Sequence, residues 1–307
     1  MQALNDEGRK DRIKNRQKQK QTTLDVSDQA ELMTFLLDHL PTKSRNEIKS
    51  LLAHHQVSVD NHVVTQYNHP LTEGQTVVVN WAKVHVEKQP EGLKIVYEDQ
   101  DIIVIDKIAG LLSMATAKEK GHTAYSILSE HVKRRDPKNK IFILHRLDRE
   151  TSGIMMFAKS EKVQELLQNS WKESVLERNY AAVVEGPINQ EQGTITSWLT
   201  ESKSFKMYSS RTPNGGQKAV THYRVLKKNK NYSLLEVKLE TGRKNQIRVH
   251  MQDIGHSVIG DKKYGASKHP IGRLGLHARV LAFRHPITGE EVRYETDIPK
   301  EFLNLFS

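Results

Sequence analysis

The sequence predicts an α+β protein in which a small N-terminal module precedes a larger domain with a mainly antiparallel sheet. In the larger domain, apolar runs typical of strands mix with helical patterns and show no strict strand–helix–strand order, which favours an antiparallel or mixed sheet. The 307 residues suffice for one large and one small domain. The composition, 36% hydrophobic and 27% charged, is typical of soluble globular proteins.

The chain is strongly basic. Lysine and arginine number 47 against 37 acidic residues, so that 47 − 37 gives a formal net charge of +10. Basic domains attract polyanions, and phosphate backbones are frequent partners, although a solvated basic surface without a specific partner explains the charge equally well.

Cysteine is absent, which excludes disulfides, thiolate metal sites and cysteine nucleophiles. No apolar run reaches the roughly 20 residues of a membrane helix. The first twenty residues lack the apolar stretch of a secretory signal. We therefore expect a cytoplasmic protein.

Residues 1–26 are predicted to form a basic flexible arm. Between Arg9 and Lys20, seven of twelve positions are basic, and Ile13 is the one branched apolar residue. Such a segment cannot build a packed face. It suits contacts with phosphate, and a solvated extension is the alternative interpretation.

Residues 27–82 are predicted to form a module of two helices followed by short strands. Apolar residues recur at helical spacing from Leu32 to Leu40 and stop before Pro41. Ser44 and Glu47 have the spacing of a capping box at the start of a second helix. Alternating apolar residues then predict strands near residues 57–59, 63–64 and 76–79.

The length and pattern of this module resemble the S4 RNA-binding domain. The P-x-x-S-R-x-x-I core of that family is present from Pro41 to Ile48. The resemblance implies that the second helix faces RNA, with Lys43, Arg45 and Lys49 as contacts. A small domain whose basic residues are merely exposed is the alternative.

Residues 83–92 are predicted to be a linker, and residues 93–307 the larger domain. Strands are expected at residues 95–97, 102–105, 154–157, 180–184, 222–226, 234–239 and 292–294, and helices at 125–133, 160–171 and 246–254.

Asp148 ends an apolar run, and a turn containing Gly153 follows it. A carboxylate at the end of a buried strand, just before a tight turn, is displayed at a cleft. An aspartate that caps turn amides is the alternative interpretation, and Asp148 alone does not decide between the two.

A second polar segment, residues 240–250, carries three cationic side chains after a predicted strand. Arg248 is placed to hold a carboxylate by charge-assisted hydrogen bonds, and Arg243 and Lys244 suit phosphate contacts. A basic helix start on the surface is the alternative. Tyr180 begins another predicted strand, where a tyrosine usually belongs to the core with its hydroxyl at the rim.

Together these segments resemble the RluA-type pseudouridine synthases, which modify ribosomal and transfer RNA. The family motifs are H-R-L-D-x-x-T-S-G, matched from His145 to Gly153; Y-x-A-x-V-x-G, from Tyr180 to Gly186; T-G-R-x-H-Q-I-R-x-H, from Thr241 to His250; and K-P-x-G-L, from Lys107 to Leu111. Two positions depart from them, because Asn245 replaces the usual histidine and Ile108 the usual proline. The resemblance covers residues 27–302.

The resemblance implies a pseudouridine synthase fold and the isomerisation of uridine without cofactor or metal. It assigns Asp148 as the catalytic carboxylate, Arg248 as its partner, and Tyr180 as the stacking partner of the base and candidate proton acceptor. Arg146 would take the place of the flipped base. Further substrate contacts are expected from His145, Thr151, Arg243 and Ile247, and an RNA contact from Lys107.

The expected partner is RNA, with ribosomal RNA of the large subunit favoured over transfer RNA, and the expected state is a monomer. Three other functions compete. A non-catalytic RNA-binding or ribosome-assembly factor would bind RNA without turnover, and a uracil-releasing glycosylase would free the base. An aspartyl-phosphate phosphatase would need further acidic ligands, and its Asp-x-Asp loop is matched only loosely by Asp148 and Glu150.

Overall fold

The computed structural model describes residues 21–53, 56–60, 62–81, 90–116, 119 and 121–307. The chain divides into two compact units, Met1–Lys88 and Gln89–Ser307. The basic segment 9–20 and most of the predicted linker lie outside the described residues. No helix in the described part of the chain is both long and apolar enough to span a membrane.

The described residues of the first unit form two helices and several short strands. Its elements are β1 (Gln21–Asp25), β2 (Ala30–Glu31), α1 (Leu32–His39), α2 (Arg45–Ala53), β3 (Val57–Val59), β4 (His62–Val63), β5 (Pro70–Leu71) and β6 (Thr76–Asn80). The described strands form a sheet in the order β1-β6-β3-β4, and β2 pairs with β5. Buried side chains of both helices, such as Leu36 and Ile48, pack with Val77 of β6 in one core.

Ordered structure begins before the predicted module. Strand β1 pairs antiparallel with β6 over its whole length, from Gln21↔Asn80 to Asp25↔Thr76. The prediction of a flexible arm over residues 1–26 is therefore wrong for residues 21–26. The segment carries few apolar side chains, so its pairing with the Val-rich β6 gives no local signal in the sequence.

The predicted capping box at the start of α2 is present. The Ser44 amide donates to Glu47 Oε2 at 2.8 Å, and the Glu47 amide donates to Ser44 Oγ at 3.3 Å. The Ser44 amide and the nearby Lys43 ammonium lower the pKa of Glu47 to about 2. This cap satisfies two amides at the start of the helix and fixes where the helix begins.

The second unit contains one large sheet flanked by helices. Its elements are β7 (Leu93–Glu98), β8 (Ile102–Lys107), α3 (Ala124–Arg135), β9 (Phe142–Ile143), β10 (Ser152–Ala158), α4 (Glu161–Asn169), α5 (Trp171–Ser174), β11 (Val175–Glu185), β12 (Gln192–Glu201), β13 (Met207–Ser210), β14 (Gln217–Lys228), β15 (Tyr232–Leu239), α6 (Gln246–Asp253), β16 (Leu276–Arg284), β17 (Glu291–Glu295) and α7 (Lys300–Leu303), with 3₁₀ turns at Lys262–Tyr264 and Asn304–Phe306.

The described strands of this sheet follow the order β13-β12-β14-β15-β11-β16-β10-β8-β7, with β17 on β16 and β9 on β10. Strands β10 and β16 run parallel, and the other pairings among the described residues are antiparallel. The predicted α+β class with a mainly antiparallel sheet is thus confirmed. The buried residues lie on both faces of the sheet, in separate clusters.

The strand predicted to lead into Asp148 is shorter than expected. Strand β9 ends at Ile143, and residues 144–148 form an irregular loop. The Ser113 hydroxyl holds this loop, since its Oγ donates to the Leu147 carbonyl at 2.7 Å and accepts from the Leu147 amide at 3.1 Å. The carboxylate is therefore presented by a loop that a buried side chain fixes.

Gly153 lets strand β10 approach β16 closely at the one parallel strand pairing of the described sheet. Its φ is +112°, and a Cβ at this position would lie 2.1 Å from the Ala278 carbonyl oxygen of β16. We expect Gly153→Ala to lower the free energy of unfolding by roughly 4 kcal/mol or more, measured by urea denaturation. Gly121→Ala is the matched control, because a Cβ there meets no atom within 4 Å; equal losses in the two variants would contradict this account.

Buried histidines with a lowered pKa are expected to make stability depend on pH, and two of them each bridge a pair of hydroxyl groups. His277 bridges Ser152 Oγ and Thr296 Oγ1, each at 2.8 Å, and His250 bridges Thr221 Oγ1 at 2.8 Å and Ser197 Oγ at 2.9 Å. Burial lowers the pKa of each histidine to about 4, from an ordinary value of 6.5.

Because the unfolded chain binds protons below pH 6.5 that the folded protein does not, this contribution is complete above pH 6.5 and is lost as the pH falls toward 4. We expect the urea midpoint to fall between pH 7 and pH 5, and to fall less in His277→Gln. A midpoint that stays constant over this range would contradict the prediction.

Candidate active site

Asp148 and Arg248 meet although 100 positions separate them in the chain. Arg248 Nη1 donates to Asp148 Oδ2 at 3.0 Å, and the Asp148 side chain is 26% exposed while that of Arg248 is 13% exposed. Both hydrogen bonds that the Asp148 carboxylate accepts end on Oδ2. Its Oδ1 has no hydrogen-bond partner among the described residues, so one oxygen of the carboxylate stays available.

Asp261 fixes the guanidinium of Arg248 in place. Arg248 Nε and Nη2 donate to the two oxygens of Asp261 at 2.6 and 2.8 Å, and the Asp261 side chain is fully buried. The guanidinium also lies 5.0 Å from the centre of the Tyr264 ring. Burial by itself disfavours the charge on Arg248, but the hydrogen bonds and charge of Asp261, with those of Asp148, outweigh it and raise the pKa of the guanidinium.

Asn245 is the second donor to the carboxylate. It precedes α6 in the left-handed conformation, with φ 52°, which asparagine adopts more readily than most residues. Its Nδ2 donates to Asp148 Oδ2 at 2.5 Å, and its Oδ1 accepts from the Tyr264 hydroxyl at 3.0 Å. The tyrosine thus fixes which end of the amide faces Asp148.

The contact with Asn245 gives a testable effect on turnover. Asn245→Ala removes one charge-assisted hydrogen bond, worth about 1.5–3 kcal/mol, which corresponds to a fall in kcat of roughly 10- to 150-fold if the bond is needed at the transition state. Because Asn245 contacts the carboxylate, we expect KM for RNA to change by no more than about twofold. An unchanged kcat in steady-state kinetics would contradict a role of Asn245 in holding the carboxylate for the reaction.

A cavity opens beside the carboxylate and collects most of the predicted site. Its lining includes the predicted residues Arg146, Asp148, Thr151, Tyr180, Arg243, Ile247 and Arg248. Asn245 and Leu276 also line it. Residues from four separate parts of the sequence therefore form one concave site around a single carboxylate.

Tyr180 presents an aromatic ring to this cavity from strand β11. Burial raises the pKa of Tyr180; the nearby Arg178 opposes the shift and the Asp148 charge adds to it. The phenol is therefore protonated at neutral pH. This state suits stacking against a base and gives no support to an ionised phenolate as the proton acceptor.

Arg146 and His145 differ in what they can contact. Arg146 is exposed, and its guanidinium makes no hydrogen bond or ion pair with the described part of the chain. His145 Nε2 accepts from the Met156 amide at 3.1 Å, and burial, with a contribution from Arg178, lowers its pKa to about 3. His145 does not line the Asp148 cavity, and it lies instead on the wall of a neighbouring cavity.

The predicted RNA contact of Lys107 is corrected by the structure. The side chain is fully buried, and its Nζ donates to the carbonyls of Ile108, Leu111 and Arg149 at 2.9, 2.8 and 3.1 Å. Burial lowers the pKa of Lys107 to about 8, although the charges of Glu150 and Asp148 oppose the shift. Lys107 supports the turn behind the carboxylate and does not reach RNA.

The three cations predicted to contact RNA from the first unit lie on or beside α2. Arg45 and Lys49 are exposed. Lys43 pairs with Glu47 at 3.0 Å and lies 5.7 Å from the Trp81 ring centre. Arg45 and Lys49 are therefore the more accessible cations of this helix.

Asp261 and Tyr264 are site residues that the sequence did not reveal. Asp261 precedes the 3₁₀ turn at Lys262–Tyr264 and caps it by accepting from the Tyr264 amide. The cap is a local feature common to many turns, so it carries no signal for a role beside Arg248.

Comparison with known proteins identifies the family to which the chain is similar. A family model described as RNA pseudouridylate synthase matches residues 101–253. The chain is 34% identical to the uncharacterized RNA pseudouridine synthase YjbO of Bacillus subtilis over 80% of this chain and 87% of that protein. It is 31% identical to the ribosomal large subunit pseudouridine synthase D of Haemophilus influenzae over 94% of this chain and 95% of that protein.

A solved structure supports the same assignment. The structure of human RNA pseudouridylate synthase domain containing 1 matches with a TM-score of 0.55 at 26% identity, over 71% of this chain and 87% of that chain. The matched residues 101–253 hold Asp148, Tyr180 and Arg248. The chain therefore belongs to the RNA pseudouridine synthase family.

Proposed function

We propose that this chain isomerises uridine to pseudouridine in large-subunit ribosomal RNA, with Asp148 as the catalytic carboxylate. The observation that carries the assignment to Asp148 is its setting: Oδ2 is held by Arg248 and Asn245, whereas Oδ1 has no partner among the described residues. Relatives named ribosomal large subunit pseudouridine synthase D, 31–36% identical to this chain, favour ribosomal RNA as the substrate.

The reaction needs a carboxylate beside the sugar. When the bond from C1′ to N1 breaks, positive charge develops at C1′, as in glycosidases, and a nearby carboxylate stabilises it. The detached uracil turns, C5 bonds to C1′, C5 releases its proton and N1 takes one up, so atoms and electrons balance without a further reactant. Asp148 Oδ1 is the oxygen that serves C1′, because Oδ2 is already engaged.

The uridine must leave its stack before it reaches Asp148, at a cost of a few kcal/mol. Arg146 is exposed and unpaired within the described residues and stands at the wall of the cavity, so it is suited to fill the space that the base leaves. Tyr180 then provides a ring face for the uracil. Arg146 thus accounts for the extraction of the base from its stack, and Tyr180 for its retention in the cavity.

The first unit supplies affinity for the RNA backbone. The two helices and the four-stranded sheet of its described residues, with exposed Arg45 and Lys49 on α2, support its assignment as an S4-like RNA-binding domain. Cations of this kind bind phosphates in a salt-dependent way without reading sequence. Binding of ribosomal RNA should therefore weaken steeply with ionic strength.

The release of tritium from RNA labelled at uridine C5 tests the proposal. Unmodified large-subunit ribosomal RNA and transfer RNA, both transcribed in vitro, are compared as substrates for the wild type, Asp148→Ala and Asp136→Ala; Asp136 is an exposed aspartate that lines neither cavity. We expect release from ribosomal RNA by the wild type and Asp136→Ala only, with no free uracil. Free uracil would indicate a glycosylase. Tight RNA binding without release from any RNA would indicate a non-catalytic factor, and release from transfer RNA alone would overturn the ribosomal assignment.

A further inference from the structure

A second cavity of about 440 Å³ lies directly beside the Asp148 cavity. The two share four lining residues: Arg146, Tyr180, Leu239 and Arg243. Its volume is within the range of sites that bind small organic ligands. Two molecules or two parts of one molecule that fill these cavities would therefore be in contact.

The second cavity is electropositive. The described residues that line it include the cations Arg146, Lys172, Arg178 and Arg243 and one carboxylate, Glu240, which pairs with His222 at 2.7 Å. The Arg178 guanidinium donates to the carbonyls of Leu239 and Glu240 at 3.4 and 3.1 Å and meets no carboxylate in the described part of the chain. A half-buried arginine without a counter-ion favours an anionic ligand.

The same cavity offers aromatic surface. Trp171, the first residue of α5, lines it together with His145, and the two ring centres are 5.4 Å apart with their planes inclined by 48°. His145 is held by the Met156 amide at 3.1 Å, so this wall is fixed. Indole and imidazole faces suit stacking with a nucleobase.

We propose that the second cavity binds the nucleotide adjacent to the target uridine, with its base against Trp171 and its phosphate at Arg178 and Lys172. The proposal rests on the function proposed above. The two cavities share a wall, as consecutive nucleotides of one strand require, and aromatic surface beside uncompensated cations matches a base and its phosphate. Arg146, on the shared wall, separates the two nucleotides. The enzyme therefore selects its uridine partly through the neighbouring nucleotide.

Once the modified uridine is mapped, hairpin RNAs containing it allow a direct test. In two of them, the base 5′ or 3′ of that uridine is replaced by an abasic residue. Because stacking on an aromatic side chain is worth about 1–3 kcal/mol per base, we expect the wild type to lose roughly 5- to 150-fold in kcat/KM on one abasic RNA. Trp171→Ala should show a similar loss on the intact RNA and less than about a twofold further loss on the abasic RNA.

Trp198→Ala is the matched control, because Trp198 is half-buried and lines neither cavity; it should respond to the abasic RNAs as the wild type does. Circular dichroism and Trp171→Phe, which keeps an aromatic ring, separate lost stacking from misfolding. Conversion of both abasic RNAs at the rate of the intact RNA would overturn the proposal while leaving the proposed function intact.

A binding measurement covers the case in which no RNA is converted and the proposed function fails. In Trp81→Phe/Trp198→Phe protein, Trp171 is the remaining tryptophan. We expect its fluorescence to be quenched by unmodified large-subunit ribosomal RNA. Fluorescence that stays unchanged when the RNA is bound would overturn the second cavity as a nucleotide site.

Discussion

Replacement of Asp148 by asparagine is expected to abolish pseudouridine formation and to leave the fold and the affinity for RNA nearly unchanged. In the wild type, Arg248 and Asn245 donate to Asp148 Oδ2 at 3.0 and 2.5 Å. Asparagine has nearly the same size as aspartate and keeps one side-chain oxygen that can accept from these donors. It removes the negative charge that stabilises C1′. Loss of an essential catalytic group typically lowers kcat by roughly ten-thousand-fold or more.

The variant is best measured as kcat for tritium release together with Kd for RNA and the urea midpoint. Asp136→Asn provides the matched control, since Asp136 is exposed and lines neither cavity. We expect Kd within about threefold of the wild type, because the carboxylate is not a phosphate contact. A kcat within tenfold of the wild type would remove Asp148 from the chemistry.

Replacement of Arg248 by methionine is expected to abolish activity and also to destabilise the protein. Asp261 is fully buried and receives two hydrogen bonds from the guanidinium, at 2.6 and 2.8 Å. Removal of one partner leaves an uncompensated buried charge, which typically lowers the free energy of unfolding by about 3–5 kcal/mol. The contact from Nη1 to Asp148 is lost at the same time.

The double variant Arg248→Met/Asp261→Asn separates the two effects. Asparagine removes the buried charge, so we expect most of the lost stability to return in urea denaturation while kcat stays as low as in the single variant. Arg224→Met is the matched control, because Arg224 pairs with Glu236 on the surface and exposed pairs contribute about 0–1 kcal/mol. A double variant no more stable than Arg248→Met would show that the buried charge is not the cause.

The fold class and many of the strands could be predicted from local patterns, and strand β16 shows why such patterns can miss a strand. Strand β16, Leu276–Arg284, contains His277, Arg279 and small alanines, so its composition does not indicate a strand. It lies in the middle of the sheet because β10, β11 and β17 all pair with it. Its conformation comes from these distant partners, which a local pattern cannot show.

The candidate site likewise combines contacts that the sequence predicts with contacts that only the folded structure brings together. The meeting of Asp148 and Arg248 was expected because their motifs match those of one family and their charges are complementary. The roles of Asp261 and Tyr264 depend on a turn that folds back onto α6, and no spacing in the sequence encodes that approach. The resemblance assigned Lys107 to RNA through the motif that it begins, but the motif does not show that this side chain is buried under three carbonyl groups.

The most direct test of the central claim is nucleoside analysis of unmodified large-subunit ribosomal RNA after incubation with the wild type and with Asp148→Asn. Digestion and chromatography give the uridine lost, the pseudouridine formed and the uracil released. The account predicts that the wild type converts uridine to pseudouridine mole for mole at a discrete position, without uracil, and that Asp148→Asn binds the RNA and converts none. Pseudouridine formed equally by both proteins, or RNA bound by the wild type without any conversion, would contradict it.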